Sequence, residues 1–256
     1  MISFLESVGG VVLLFVEELG RFFSMMGAAV VWAPRRPFDP PEWLRQMVRV
    51  GFDSVPVVLV TTLFTGMVLA LQTYRGFERF HAEAFVGSVV ALSLTRELAP
   101  VLTGLMVAGR VGSSMAAELG TMRVTEQIDA LYAMATEPIH YLVVPRVGAT
   151  VIMLPALTAV GDAVGIAGGY LVASGLFEAN TVSYWESTFK YLDVNDVTSG
   201  LGKAACFGLI LATTGCTKGF HTTGGAEGVG RSTTSAVVTA SLYILVADFF
   251  LTKLLF

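Results

Sequence analysis

Five charged residues, Arg96, Glu97, Asp162, Lys203 and Asp248, fall inside long apolar stretches of the chain. At the centre of a membrane helix each would cost roughly 2.5–3.5 kcal/mol, so each must face protein, water or an opposite charge. Arg96 and Glu97 are neighbours that point about 100° apart on a helix, so they need not pair with each other. Lys203 and Asp248 fall at similar depth near the ends of two stretches, which suits a cross-helix ion pair. A charge reaching alone for the membrane surface is the alternative. Glu97 lies deeper, beside Pro100, and is assigned to the wall of a cavity. Groups of this kind set the polarity of a space inside the membrane or carry protons through it.

Other candidate chemistry is weaker. Gly225-Ala-Glu-Gly-Val-Gly-Arg-Ser232 approaches a phosphate loop, but Arg231 stands where lysine belongs, Glu227 would repel phosphate, and the preceding segment is an apolar membrane helix. It reads as a flexible loop before the last helix, with Ser232 to Ser235 as helix-start residues. His81, His140 and His221 fall in three separate connections, so no metal-ligand set is visible. Cys206 and Cys216 would sit about 15 Å apart on one helix, too far to bridge. No serine has a nucleophile-elbow setting. Nothing in the chain points to an enzyme.

The elements that must position these charges follow from composition. Hydrophobic residues make up 54% of the 256 and charged ones 14%, against about 25% charged in soluble domains. Mean hydropathy is +0.70. A net charge of −4 argues against a nucleic-acid partner. Uncharged or nearly uncharged stretches at Ser54–Tyr74, Ala84–Gly109, Val147–Phe177, Val197–Thr217 and Ser232 to the C-terminus predict five transmembrane helices. Barrel-type alternation is absent, so the fold class is an all-α integral membrane protein. The chain reads as one domain, with residues 1–52 forming interfacial helices and an elbow, and 53–256 the five-span region.

Ser7–Val16 and Phe22–Ala33 are each too short to span and are separated by Glu17, Glu18 and Arg21. They read as an interfacial helix, with a broken sixth span as the alternative. No basic segment precedes them, so they do not form a signal peptide. Pro34-Arg35-Arg36-Pro37 forms a basic elbow. Glu42–Phe52 follows as a short amphipathic helix, with Trp43 as an interfacial anchor and Arg45 and Arg49 facing headgroups. With the N-terminus inside, ten lysines and arginines fall on the cytoplasmic side and four outside, and an odd number of spans leaves the C-terminus outside. Glu178–Gly200 reads as an outer amphipathic segment.

Gly104, Ala108, Gly112, Ala116 and Gly120 recur every four residues, as do Gly161, Gly165, Gly169 and Ala173. Such stripes let helices approach closely, within one chain or between subunits. Glu118–Glu137 falls on the cytoplasmic side. Met122, Thr125, Ile128, Asp129 and Tyr132 recur there at helical spacing, with Glu126 and Gln127 off that line. The segment reads as a short helix parallel to the membrane that meets a partner, although an amphipathic membrane-surface helix has the same pattern.

Running into it, Ala108-Gly-Arg-Val-Gly-Ser-Ser-Met-Ala-Ala-Glu-Leu-Gly-Thr-Met-Arg-Val-Thr-Glu-Gln-Ile-Asp-Ala-Leu131 resembles the signature of the MlaE/YrbE permease family. Leu92-Ser-Leu-Thr-Arg-Glu-Leu-Ala-Pro-Val101, Gly228-Val-Gly-Arg-Ser-Thr-Thr234 and Asp248-Phe-Phe-Leu-Thr252 are similar to further motifs of that family. These are membrane subunits of lipid ABC transporters that work with MCE proteins. The resemblance implies a homodimeric permease in a bacterial inner membrane, with two cytoplasmic ATPase subunits, a periplasmic MCE-protein ring and a small STAS-domain accessory protein. Phospholipid is the implied cargo, moved between inner and outer membranes. No cofactor is implied on this chain; ATP and magnesium belong to the ATPase. By the same resemblance, Glu118, Met122, Arg123, Thr125, Glu126, Gln127, Ile128 and Asp129 belong to the helix that couples to the ATPase. Arg96, Glu97, Lys203 and Asp248 match charged positions associated with transport, and Gln72, Tyr74 and Phe80 fall where relatives line the lipid cavity. A proton-coupled secondary transporter using Glu97 and Asp248, and a scaffold that moves nothing, are the competing readings.

Overall fold

A backbone surrounded by hydrocarbon must satisfy its own hydrogen bonds, and this chain does so with helices. The computed structural model describes residues 2–35, 39–177 and 181–255, and among these there is no strand. Arg36 and Pro37 of the elbow lie outside the described residues. The helices are α1 (Ile2–Trp32), α2 (Pro40–Val50), α3 (Val55–Glu78), α4 (Glu83–Val124), α5 (Gln127–Ala133), α6 (Ile139–Phe177), α7 (Thr181–Tyr191), α8 (Val194–Phe220) and α9 (Gly225–Leu255). Five of them, α3, α4, α6, α8 and α9, are long and apolar enough to cross a membrane. The end of the bundle where α4 meets α5 is called here the basic end, and the other the far end.

Glycines set how closely the spans pack. A Cβ on Gly66 of α3 would lie 1.9 Å from the carbonyl oxygen of Gly165 in α6, so only hydrogen fits between these backbones. A Cβ on Gly200 of α8 would lie 2.0 Å from the Thr95 carbonyl of α4, and one on Gly215 2.9 Å from that of Gly112. Both small-residue stripes are used inside the chain. Gly104 faces Phe207 and Ile244, Gly120 faces Thr222, and Gly161 and Gly165 face Thr62 and Leu94. Around these contacts, buried residues of α4, α6, α8 and α9 form the main core. A second cluster joins α3, α4, α6 and α7 at the far end. There Tyr184 of α7 donates to the Ile166 carbonyl at 3.1 Å and anchors that short helix.

The two N-terminal stretches form one unbroken helix, in line with the favoured reading and against a broken span, because Arg21 pairs with Glu17 one turn away and Glu18 pairs with Lys218. Those charges are satisfied without a break. Glu18 meets the last turn of α8 and Trp32 meets His140 in the first turn of α6. Both contacts lie at the basic end, so the intervening stretch, about 21 Å of helix, skirts one side of the bundle.

Glu118–Glu137 is not one helix lying flat. α4 is 42 residues long, about 63 Å, twice the hydrocarbon thickness of about 30 Å. Glu118 to Val124 is therefore the protruding stem of the second span. The chain turns at Glu126, whose φ of 61° is left-handed, and α5 follows as a separate short helix. The stretch Gly225–Ser232 is helical rather than a loop. Gly224 and Gly225, both at positive φ, make the turn instead, and a Cβ on Gly228 would lie 1.8 Å from the Thr223 carbonyl.

Candidate functional site

The first site starts from a defect in α4. Leu94–Leu98 forms a π turn, a widening often found at functional positions. Pro100 has no N–H for the carbonyl four residues earlier, that of Arg96. Lys203 of α8 fills that place, its Nζ donating to the Arg96 carbonyl at 3.0 Å. The same ammonium donates to Glu97 Oε2 at 2.6 Å and to Thr252 Oγ1 of α9 at 2.9 Å. Its three protons are then committed. Asp248 Oδ1 lies 2.7 Å from the same ammonium as an ion pair. Thr252 completes the cluster by donating toward Glu97 Oε1 at 3.0 Å.

The pairing of Lys203 with Asp248 therefore occurs, and Glu97 joins it. Lys203 is wholly buried, whereas the side chains of Glu97 and Asp248 are 37% and 20% exposed. One ammonium stands behind two carboxylates, and the edge shown to the surroundings is acidic. Arg96 turns the other way. Its Nε and Nη2 lie 2.9 and 2.8 Å from Oδ1 of the buried Asp196, near the start of α8. Asp196 also accepts the Asp193 N–H in a capping box. Sequence reasoning missed Asp196. The Asp193-x-x-Asp196 capping pattern was its signal, but a cap alone does not reveal a partner a hundred residues away.

Gln72, Tyr74 and Phe80 are not gathered around these charges. Gln72 and Phe80 are exposed on α3 and just beyond its end, and Tyr74 stacks on Phe177 with centroids 4.0 Å apart. Tyr74 also borders a small far-end cavity of about 220 Å³ with Glu83, Ser183 and Tyr184. Asp162 is buried in α6.

A second network ties the basic end together. Arg110 sits in another π turn, Ala108–Gly112, where it donates to the Arg49 carbonyl at 3.1 Å and to Ser54 Oγ at 2.8 Å, and pairs with Asp53. Glu118 takes Arg49 of α2 on Oε1 and Arg146 of α6 on Oε2, the latter at 3.1 Å. Arg49, expected at headgroups, is thus turned to Glu118. Arg110 and Arg146, two of the ten basic residues counted on the cytoplasmic side, join helices, and the Arg146 side chain is only 9% exposed. Glu118, expected to face a partner, is turned inward.

Beyond the stem, Arg123 and Asp129 pair at 2.6 Å across the turn between α4 and α5. Met122 is partly buried against the core and Ile128 fully so, whereas Thr125, Glu126, Gln127 and Tyr132 are not buried. The outward surface is thus the Thr125–Gln127 turn and Tyr132, with Asp129 at its edge.

Five packed spans holding two interhelical charge networks define a multi-pass membrane protein whose interior polarity is built in deliberately placed pairs. Residues 43–254 match the family described as Permease MlaE, and the chain belongs to that family as a permease subunit. A probable ABC transporter permease protein of Rickettsia felis is 50% identical over all of this chain and 99% of its own length. A probable ABC transporter permease of Synechocystis is 51% identical, covering 95% of this chain and 92% of the relative. The chloroplastic protein trigalactosyldiacylglycerol 1 of Arabidopsis thaliana is 42% identical over 83% of this chain and 61% of the relative.

Proposed function

We propose that this chain is the membrane subunit of an ATP-driven phospholipid transporter, working as a homodimer between cytoplasmic ATPase subunits and a periplasmic ring of MCE proteins, with a STAS-domain accessory protein. The observation that carries the lipid reading is the acidic edge of Glu97 and Asp248, held from behind by buried Lys203. Beside it on α9, Val246, Phe249 and Phe250 are exposed. A mostly apolar wall with one polar edge suits an amphiphile, with acyl chains on the wall and the headgroup at the edge. The glycerolipid in the name of the Arabidopsis relative is consistent with that cargo.

The excess of basic residues at the α4–α5 end supports a cytoplasmic N-terminus in a bacterial inner membrane and a periplasmic C-terminus. The exposed turn around Glu126 and Tyr132 is then available to the ATPase, which supplies ATP, magnesium and hydrolysis. Closing of the ATPase pair would change the affinity of the cavity for lipid, and that difference between two states drives transfer.

The test is reconstitution of the chain with its ATPase in vesicles carrying a fluorescent phospholipid. ATP-dependent, vanadate-sensitive lipid movement is the expected result. Movement driven by a pH gradient without ATPase would replace this reading with a secondary transporter. An intact complex that moves no lipid would replace it with a scaffold.

A further inference from the structure

We propose that Glu118 is the positioning residue through which movement of α5 reaches the first and third spans, an inference that rests on the ATPase-coupled reading above. Glu118 lies six residues before the end of the α4 stem, about 9 Å from the turn into α5. The stem is continuous helix, and its end is tied to α5 by Arg123 and Asp129 and by Ile128 in the core. A push on α5 is therefore delivered to the stem as a rigid rod. On one side that rod touches α8 through glycine contacts, Gly215 against Gly112 and Gly219 against Leu119. Such contacts are steric and have no preferred partner atom.

On the other side the contact is directional. The two oxygens of Glu118 are divided, Oε1 to Arg49 of α2 and Oε2 to Arg146 of α6. Ser114, one turn back, donates to Oε1 at 3.3 Å and steadies the carboxylate. Arg146 is held in turn, its Nη1 donating to the Leu142 carbonyl at 2.6 Å inside the π turn Ile139–Val143. Arg49 offers its carbonyl to Arg110, which also grips Ser54 and Asp53 at the start of the first span. Rotation of the stem thus pulls on α2 with the root of α3 through one oxygen, and on α6 through the other. Charge-assisted pairs hold their geometry under load better than apolar contacts because they have a preferred direction.

The readout is lipid moved per ATP hydrolysed by the complete reconstituted complex. A merely structural defect lowers both rates in proportion and leaves the ratio unchanged. With Glu118→Gln, and separately with half-exposed Arg49→Gln, the ratio falls about fivefold or more, the size of an ordinary coupling energy. Glu118→Asp retains an intermediate ratio. Arg45→Gln removes the same charge from α2 but pairs only within that helix, with Glu42, and leaves the ratio at wild type. A wild-type ratio in Arg49→Gln, or an equal fall in Arg45→Gln, overturns the proposal. Should Glu118→Gln fail to assemble, Arg49→Gln decides alone. A wild-type complex that hydrolyses ATP and moves no lipid refutes the transport reading instead.

Discussion

The Nζ of Lys203 and Oε2 of Glu97 lie 2.6 Å apart, joining the fourth span to the π turn of the second. The lysine has no exposure and the glutamate is open on one side. The two ends of this pair should therefore respond very differently to substitution.

Lys203→Met leaves Glu97 and Asp248 facing each other without their cation. Removing one partner of a buried pair costs about 3–5 kcal/mol. Glu97→Gln keeps a hydrogen-bonding group against an ammonium that still has Asp248, and at a partly exposed site it costs about 1 kcal/mol. Thermal unfolding of the purified variants should rank Lys203→Met well below Glu97→Gln. In reconstituted complexes, Glu97→Gln should lower lipid movement more than it lowers stability.

Gly66→Ala places a methyl where the Gly165 carbonyl already stands. The α3–α6 contact must open, with a loss of about 1–3 kcal/mol as in other overpacked sites. Gly76→Ala, in open space near the end of the same helix, is the control and should be neutral or slightly stabilising.

Two residues of α5 separate packing from docking. Ile128 is 1% exposed, and Ile128→Ala should cost about 2–5 kcal/mol. Tyr132 is 52% exposed, and Tyr132→Ala should alter stability by no more than about 0.5 kcal/mol. Only the Tyr132 variant should lose co-purified ATPase while keeping a wild-type melting temperature.

Tyr184 provides a pH test outside the spans. Burial pushes its hydroxyl well above the ordinary value of 10.0. The folded form keeps this proton at pH values where the unfolded chain has released it. Stability from this group is complete below pH 10 and declines as pH rises beyond it. Tyr184→Phe loses the bond to Ile166, about 1 kcal/mol at neutral pH. Its melting temperature should then fall less steeply above pH 10 than that of the wild type.

Much of this was legible from residue order. The gaps between charges marked the spans, and matched depth made the Lys203–Asp248 pair one of two readings, the other being charges that reach for the membrane surface. Period-four glycines announced close packing, though not which helix would fill each groove. The π turn at Leu94–Leu98 had only Pro100 as a local signal, and a proline does not say who will take the freed carbonyl. Continuity of α1 was obscured because Glu17, Glu18 and Arg21 look like a break until Lys218 is placed beside them. Glu118 sat in a segment read as partner-facing, and nothing local distinguished inward from outward.

By itself the sequence determined five crossings and their family, because hydrophobic length and motif order are properties of contiguous residues. It also determined that these charges must face protein, water or each other, since they interrupt stretches that must lie in lipid. Only the tertiary structure decided that Glu97 joins Lys203, 106 residues away, and that Glu118 divides its oxygens between Arg49 and Arg146. Those pairings depend on the rotation of each helix about its own axis. That rotation is set jointly by every glycine contact along the bundle, and no single stretch of chain contains it.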